Sequence, residues 1–158
     1  MTKKSIVISS DHNGIELKEK IKNTLKKDGF TVVDFGPYEE HGKVDYNFYG
    51  RLLSRAIANK DADRRILICG TGVGMSIVAN REKGVRAVLA HNLMTASKSR
   101  DHNDTNVLCL GSWISKESEA KEIVKIWINE KWGEGRHGRR VHMIDDVKTG
   151  VVMANGVF

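Results

Sequence analysis

The sequence predicts a three-layer α/β/α domain, Rossmann-like with a five-stranded parallel sheet in flavodoxin-like order, on three observations. Short aliphatic runs alternate with longer segments of helical periodicity. The runs are apolar at successive positions instead of every second one, as strands covered on both faces are. The 158 residues suit one domain with a substantial core, so a single domain over 1–158 is expected, with the tail 147–158 peripheral.

Ser5 to Ser9 is the first strand and leads into Ser10-Asp11-His12-Asn13-Gly14. Ile15 to Lys27 sets Ile15, Leu17, Ile21 and Leu25 among lysines, an amphipathic helix closed by Asp28-Gly29. Thr31 to Phe35 is the second strand; Gly36-Pro37-Tyr38 then opens a polar loop to Asp45-Tyr46, and a helix follows over about Phe48 to Asn59. Arg65 to Ile68 is the third strand and Arg86 to Ala90 the fourth. A helix over about Leu93 to Arg100 is followed by polar Asp101-His102-Asn103-Asp104. Asn106 to Leu110 is the fifth strand, and a helix over about Lys116 to Trp132 precedes a basic loop, Arg136-His137-Gly138-Arg139-Arg140.

Composition narrows the function classes. The net charge of +6 is spread over helix faces, as at Lys18, Lys22 and Lys26, which argues against nucleic-acid binding. Only the 136–140 cluster is dense enough to hold a phosphate or acidic metabolite. No apolar stretch is long enough to span a membrane, and the N-terminus runs directly into a strand, so a soluble cytoplasmic protein is expected. Cys69 and Cys109 lack C-x-x-C spacing, which suggests neither a zinc site nor a disulfide.

The most informative stretch is Ile66 to Ser76, where a buried strand delivers Cys69 to Gly70-Thr71-Gly72-Val73-Gly74 and a helix-like run begins. Alternate glycines let successive N–H groups point into one concavity, an oxyanion or phosphate nest beside a thiol. The plain alternative is a tight strand-to-helix turn with an inert cysteine. The spacing is neither G-x-G-x-x-G nor G-x-x-x-x-G-K-[ST], so a dinucleotide or ATP is not expected. In an order 2-1-3-4-5 the ligand crevice lies between strands 1 and 3, bringing Asp11 and His12 beside Cys69 and Thr71. His102 and Asn103 precede the fifth strand and fall at the opposite edge. If they act at that crevice, a second subunit supplies them, so a dimer is expected.

Ser10-Asp11-His12-Asn13-Gly14, Val44-Asp45-Tyr46, Ile68 to Ser76, Gly84-Val85-Arg86-Ala87, Ser99 to Leu108 and Gly135-Arg136-His137 resemble the ribose-5-phosphate isomerase B family, which includes the galactose-6-phosphate isomerase subunits. The resemblance runs from about residue 5 to 146. It implies a metal-independent aldose–ketose isomerase of sugar phosphates without a cofactor, working through a cis-enediolate. Cys69 would be the base, Thr71 a proton shuttle, and Gly70, Gly72, Val73 and Gly74 the oxyanion N–H donors. His102, with Asp11 nearby, would open the sugar ring. His12, Arg136 and Arg140 would hold the phosphate, with Tyr46, Asn103 and His137 lining the site. The implied assembly is a homodimer with shared sites, or a tetramer.

Some members use a glutamate at the position of Met75; this chain is of the cysteine type. It departs at Trp113, where members often carry an arginine against the phosphate. That leaves open the same chemistry on a tetrose or hexose phosphate such as erythrose 4-phosphate or galactose 6-phosphate, or a catalytically silent phosphosugar-binding subunit. Cys109, centred in an apolar strand, is expected to be structural.

Overall fold

The computed structural model describes residues 5–56 and 64–146. Five parallel strands, β1 (Ser5–Ser10), β2 (Thr31–Asp34), β3 (Arg64–Cys69), β4 (Ala87–Leu89) and β5 (Val107–Gly111), form one sheet. Helices α1 (Ile15–Lys27), α2 (Tyr46–Arg55), α3 (Val73–Ala79), α4 (Leu93–Asn103), α5 (Glu117–Asn129) and α6 (Gly135–Asp145) join and flank the strands. The three-layer Rossmann-like class is as the sequence predicts. The expected tail 147–158 and the end of the predicted second helix, beyond residue 56, lie outside the described residues.

The period-two geometry of strands sorts the apolar residues into two cores. Ile6 and Ile8, Ile66 and Ile68, and Leu108 and Leu110 face one way, against Leu17, Ile21 and Leu25 of α1, Ala96 of α4, and Ile123, Val124 and Trp127 of α5. Val7, Leu67, Cys69, Val107 and Cys109 face the other way, against Tyr49 and Leu53 of α2 and Met75 and Ala79 of α3. Both cysteines therefore lie on the α2–α3 face. Trp127 is fully buried, and its Nε1–H donates to Thr105 Oγ1 at 2.9 Å, so the one polar atom of the indole is satisfied.

The strand order is β2-β1-β3-β5-β4, which corrects the flavodoxin-like order in its last two places. The reason is visible in the strands themselves. All five residues of β5 are buried, whereas the three of β4 are only half-buried, so β5 takes the interior position and the short β4 the edge. Since β1 and β3 stay adjacent, the crevice predicted between them survives.

Two further differences bear on the site. α4 extends to Asn103, placing His102 and Asn103 on its last turn, and ends on Asp104 in the left-handed region at φ 45°. The basic cluster is the body of α6 and not a loop. His137, Gly138 and Val141 recur at helical spacing and are buried, and the flanking glycines that suggested a loop mark its start.

One ionic group is wholly interior. Lys18 of α1 is 0% exposed, and its Nζ donates to Asp34 Oδ1 at 2.7 Å and to the Pro37 carbonyl at 2.6 Å. Burial would raise the Asp34 carboxyl, but donors from Lys18, Lys22 and the Gly36 N–H outweigh it and hold the group below its ordinary value. This pair anchors the end of β2 to α1, beside the crevice.

Candidate active site

At the carboxyl edge, β3 ends on Cys69, which is 4% exposed and turned by the strand alternation toward α2 and α3. The chain then makes a glycine turn into α3. Gly72 caps that helix in the left-handed region, at φ 80°, and its N–H donates to Cys69 Sγ at 3.1 Å. An amide is thus aimed at the sulfur itself. Thr71 is exposed and its Oγ1 accepts from the Val73 N–H at 3.3 Å.

No side chain can replace the hydrogen at Gly72. A Cβ there would lie 2.5 Å from Leu89 Cδ1 and 2.9 Å from the Leu110 carbonyl carbon. Gly72→Ala is expected to lose about 2–4 kcal/mol, combining a left-handed conformation with overpacking. Gly29→Ala is the comparison, because Gly29 has φ 87° but open space around it, so only the conformational cost remains. Equal losses for the two variants in denaturant titrations would show that the packing around Gly72 is immaterial.

The end of β1 lies alongside. The Asp11 N–H donates to the Ile68 carbonyl at 2.9 Å, and the Asp11 carboxylate accepts from the N–H groups of Asn13 and Gly14 at 2.9 and 3.1 Å. Asp11 therefore caps the tight turn His12–Gly14. His12 Nδ1 donates to the Val44 carbonyl at 2.8 Å, which fixes the ring; its other nitrogen makes no hydrogen bond among the described residues. Tyr46 opens α2 and lays its ring on Gly74, where a Cβ would fall 2.7 Å from Cε2.

The amino edge carries a second group. Arg86, just before β4, donates through Nε to the carbonyls of Asn103 and Asp104 and pairs with the carboxylates of Asp104 and Asp145, tying the ends of α4 and α6 together. His102 and His137 stack there with ring centroids 4.2 Å apart and planes 15° apart. Arg136 and Arg140 lie exposed on the same helix as His137. Burial pulls the His137 imidazole below its ordinary value, and the charges of His102 and Arg136 add to this, opposed by Asp101.

The structure therefore brings Asp11, His12, Tyr46 and residues 69–74 together at one edge, and gathers His102, Asn103, Arg136, His137 and Arg140 at the other. Sequence reasoning missed Ser112. Its Oγ donates to the Asn13 carbonyl at 2.8 Å, clasping the β1 and β5 ends together, and no spacing signals such a contact. Cys109 is buried inside β5, and burial, with Cys69 nearby, pushes its thiol up.

A thiol facing an amide nest on a parallel sheet, with a basic helix and paired histidines on the far edge, defines an α/β protein that handles an anionic small molecule. Residues 6–144 match the family described as ribose/galactose isomerase. Ribose-5-phosphate isomerase B of Escherichia coli is 41% identical over 145 residues, covering 92% of this chain and 97% of that protein. A ribose 5-phosphate isomerase structure from Thermotoga maritima superposes with a TM-score of 0.87 at 43% identity, covering 90% of this chain and 98% of that one. One from Mycoplasma genitalium, with bound ribulose 5-phosphate, gives 0.86 at 40% identity, covering 92% and 96%. The chain belongs to the ribose/galactose isomerase family and is an isomerase of sugar phosphates. No helix among the described residues is long and apolar enough to cross a membrane.

Proposed function

We propose that this chain interconverts ribose 5-phosphate and ribulose 5-phosphate in the cytoplasm, without a metal or cofactor, through a cis-enediolate. The observation that carries the reading is the Gly72 N–H at 3.1 Å from Cys69 Sγ, within a glycine turn that leads into the first turn of α3. Cys69, as thiolate, removes the proton at C2 of the aldose and returns it to C1. The charge that develops on the substrate oxygen is met by the N–H groups of residues 70–74, while Thr71 Oγ1 moves the hydroxyl proton between O2 and O1. Preorganised donors of this kind are each worth about 10²–10³ in rate.

Ring opening and phosphate binding draw on both edges. His102 opens the furanose; His12, Arg136 and Arg140 meet the phosphate; Tyr46, Asn103 and His137 line the cavity. Arg86 fixes the end of α4 at the amino edge, far along the strands from Cys69, so His102 of one chain serves Cys69 of another. The working unit is a homodimer with two shared sites, alone or within a tetramer.

The test is the isomerisation rate of the purified protein on ribose 5-phosphate, with erythrose 4-phosphate and galactose 6-phosphate alongside. The expected result is turnover of ribose 5-phosphate that survives exhaustive chelation. Turnover of none of the three, with binding retained, would make the chain a phosphosugar-binding subunit instead.

A further inference from the structure

We propose that Trp113 sets the length of sugar that the site accepts, standing as a partition between the amide nest and a second polar chamber. This inference rests on the phosphosugar reading above. The indole is seated on the first glycine of the nest: a Cβ on Gly70 would lie 2.7 Å from Trp113 Cε3 and Cζ3. Two main-chain bonds at 2.9 Å hold it there, from the Trp113 N–H to the Gly70 carbonyl and from the Ser112 N–H to the Cys69 carbonyl. Trp113 is nevertheless 68% exposed, so the core does not need it. Its ring and that of Tyr46, on Gly74, bound the nest at its first and last glycines.

Trp113 also lines a pocket of about 330 Å³ with Asn13, Glu16, Ser112, Ser115 and Glu117. Ser115 is 8% exposed, and its Oγ is buried with no hydrogen-bond partner among the described residues. The chamber is therefore polar, lined by amide, hydroxyl and carboxylate side chains of the kind sugar hydroxyls bond. The indole itself is neutral. It offers a rigid apolar face to the C–H bonds of a carbon chain and no charge to a phosphate. Its bulk ends the slot, and truncating it joins the nest to the chamber, making room for a longer chain whose added hydroxyls meet Asn13, Ser112 and Ser115.

Calorimetric titration of the full chain, carrying Cys69→Ala to prevent turnover, reads this directly. Erythrose 4-phosphate, ribose 5-phosphate and galactose 6-phosphate are the probes. With Trp113 present, galactose 6-phosphate is expected to bind at least about tenfold more weakly than ribose 5-phosphate, the scale on which a pocket discriminates by a carbon. Trp113→Ala is expected to close that gap by about tenfold or more, while Trp113→Phe keeps most of it. Binding of the shorter sugars with an unchanged ratio in Trp113→Ala would overturn the partition and leave the isomerase reading intact. Failure of all three sugars to bind to any of these proteins would overturn both. Since the side chain is largely exposed, all the variants are expected to fold.

Discussion

Cys69→Ala is expected to lower kcat for ribose 5-phosphate by about 10³-fold, within the range removed with a general base. The substitution leaves the amides of residues 70–74 in place, so KM is expected to change far less than kcat. The sulfur is buried among Leu67, Met75 and Ala79, and its loss should cost about 1 kcal/mol of stability, too little to unfold the chain. Cys109→Ala is the control. Its thiol is equally buried on the same face of the sheet, yet it lies inside β5, and the Gly72 N–H is aimed at Cys69 Sγ instead. Comparable destabilisation with near-normal turnover is expected there. A Cys69→Ala protein that kept more than about a tenth of wild-type kcat would remove the thiol from the chemistry.

The second large effect is a recovery of activity. Cys69→Ala and His102→Ala are each expected to be nearly inactive as separate homodimers. In a mixed dimer one site carries both lesions and the other carries neither, if each site takes Cys69 from one chain and His102 from its partner. Random reassortment makes half of all dimers mixed, so a one-to-one mixture, denatured and refolded together, is expected to regain about a quarter of wild-type activity. Within a single chain Asn103 and Asp104 are bonded to Arg86, at the amino end of β4, whereas Cys69 closes the carboxyl end of β3. Recovery is therefore expected only across subunits. A mixture that stays as inactive as its parents would show that Cys69 and His102 of the same chain serve one site.

The sequence made the layers, the strand positions and the nest legible because each leaves a local pattern. Continuous aliphatic runs mark strands covered on both faces, and Gly70, Gly72 and Gly74 mark a turn that needs positive φ or close approach. The order of β4 and β5 left no such mark. It depends on which strand can be buried on every side, a comparison between Val107–Gly111 and Ala87–Leu89 that periodicity does not make. α6 was hidden because only Val141 gives it an apolar residue on the buried face, the other buried positions being His137 and Gly138. Asp11 and His12 were legible as neighbours of Cys69, but their present partners, a capped turn and the Val44 carbonyl, are contacts that only the folded chain defines. Trp113 stood out in sequence as a departure, and its seat on Gly70 gives that departure a location.

The division of the polar residues between the two edges of the sheet also bears on how such a gene can diverge. If each centre takes its thiol from one chain and its histidine from another, then after duplication one copy is free to lose its thiol and the other its stacked histidines, and the pair together would still own one complete centre. Each copy would then be inert by itself and indispensable to its sister. Selection would hold the two genes together through a shared product, although neither protein retained a whole active site.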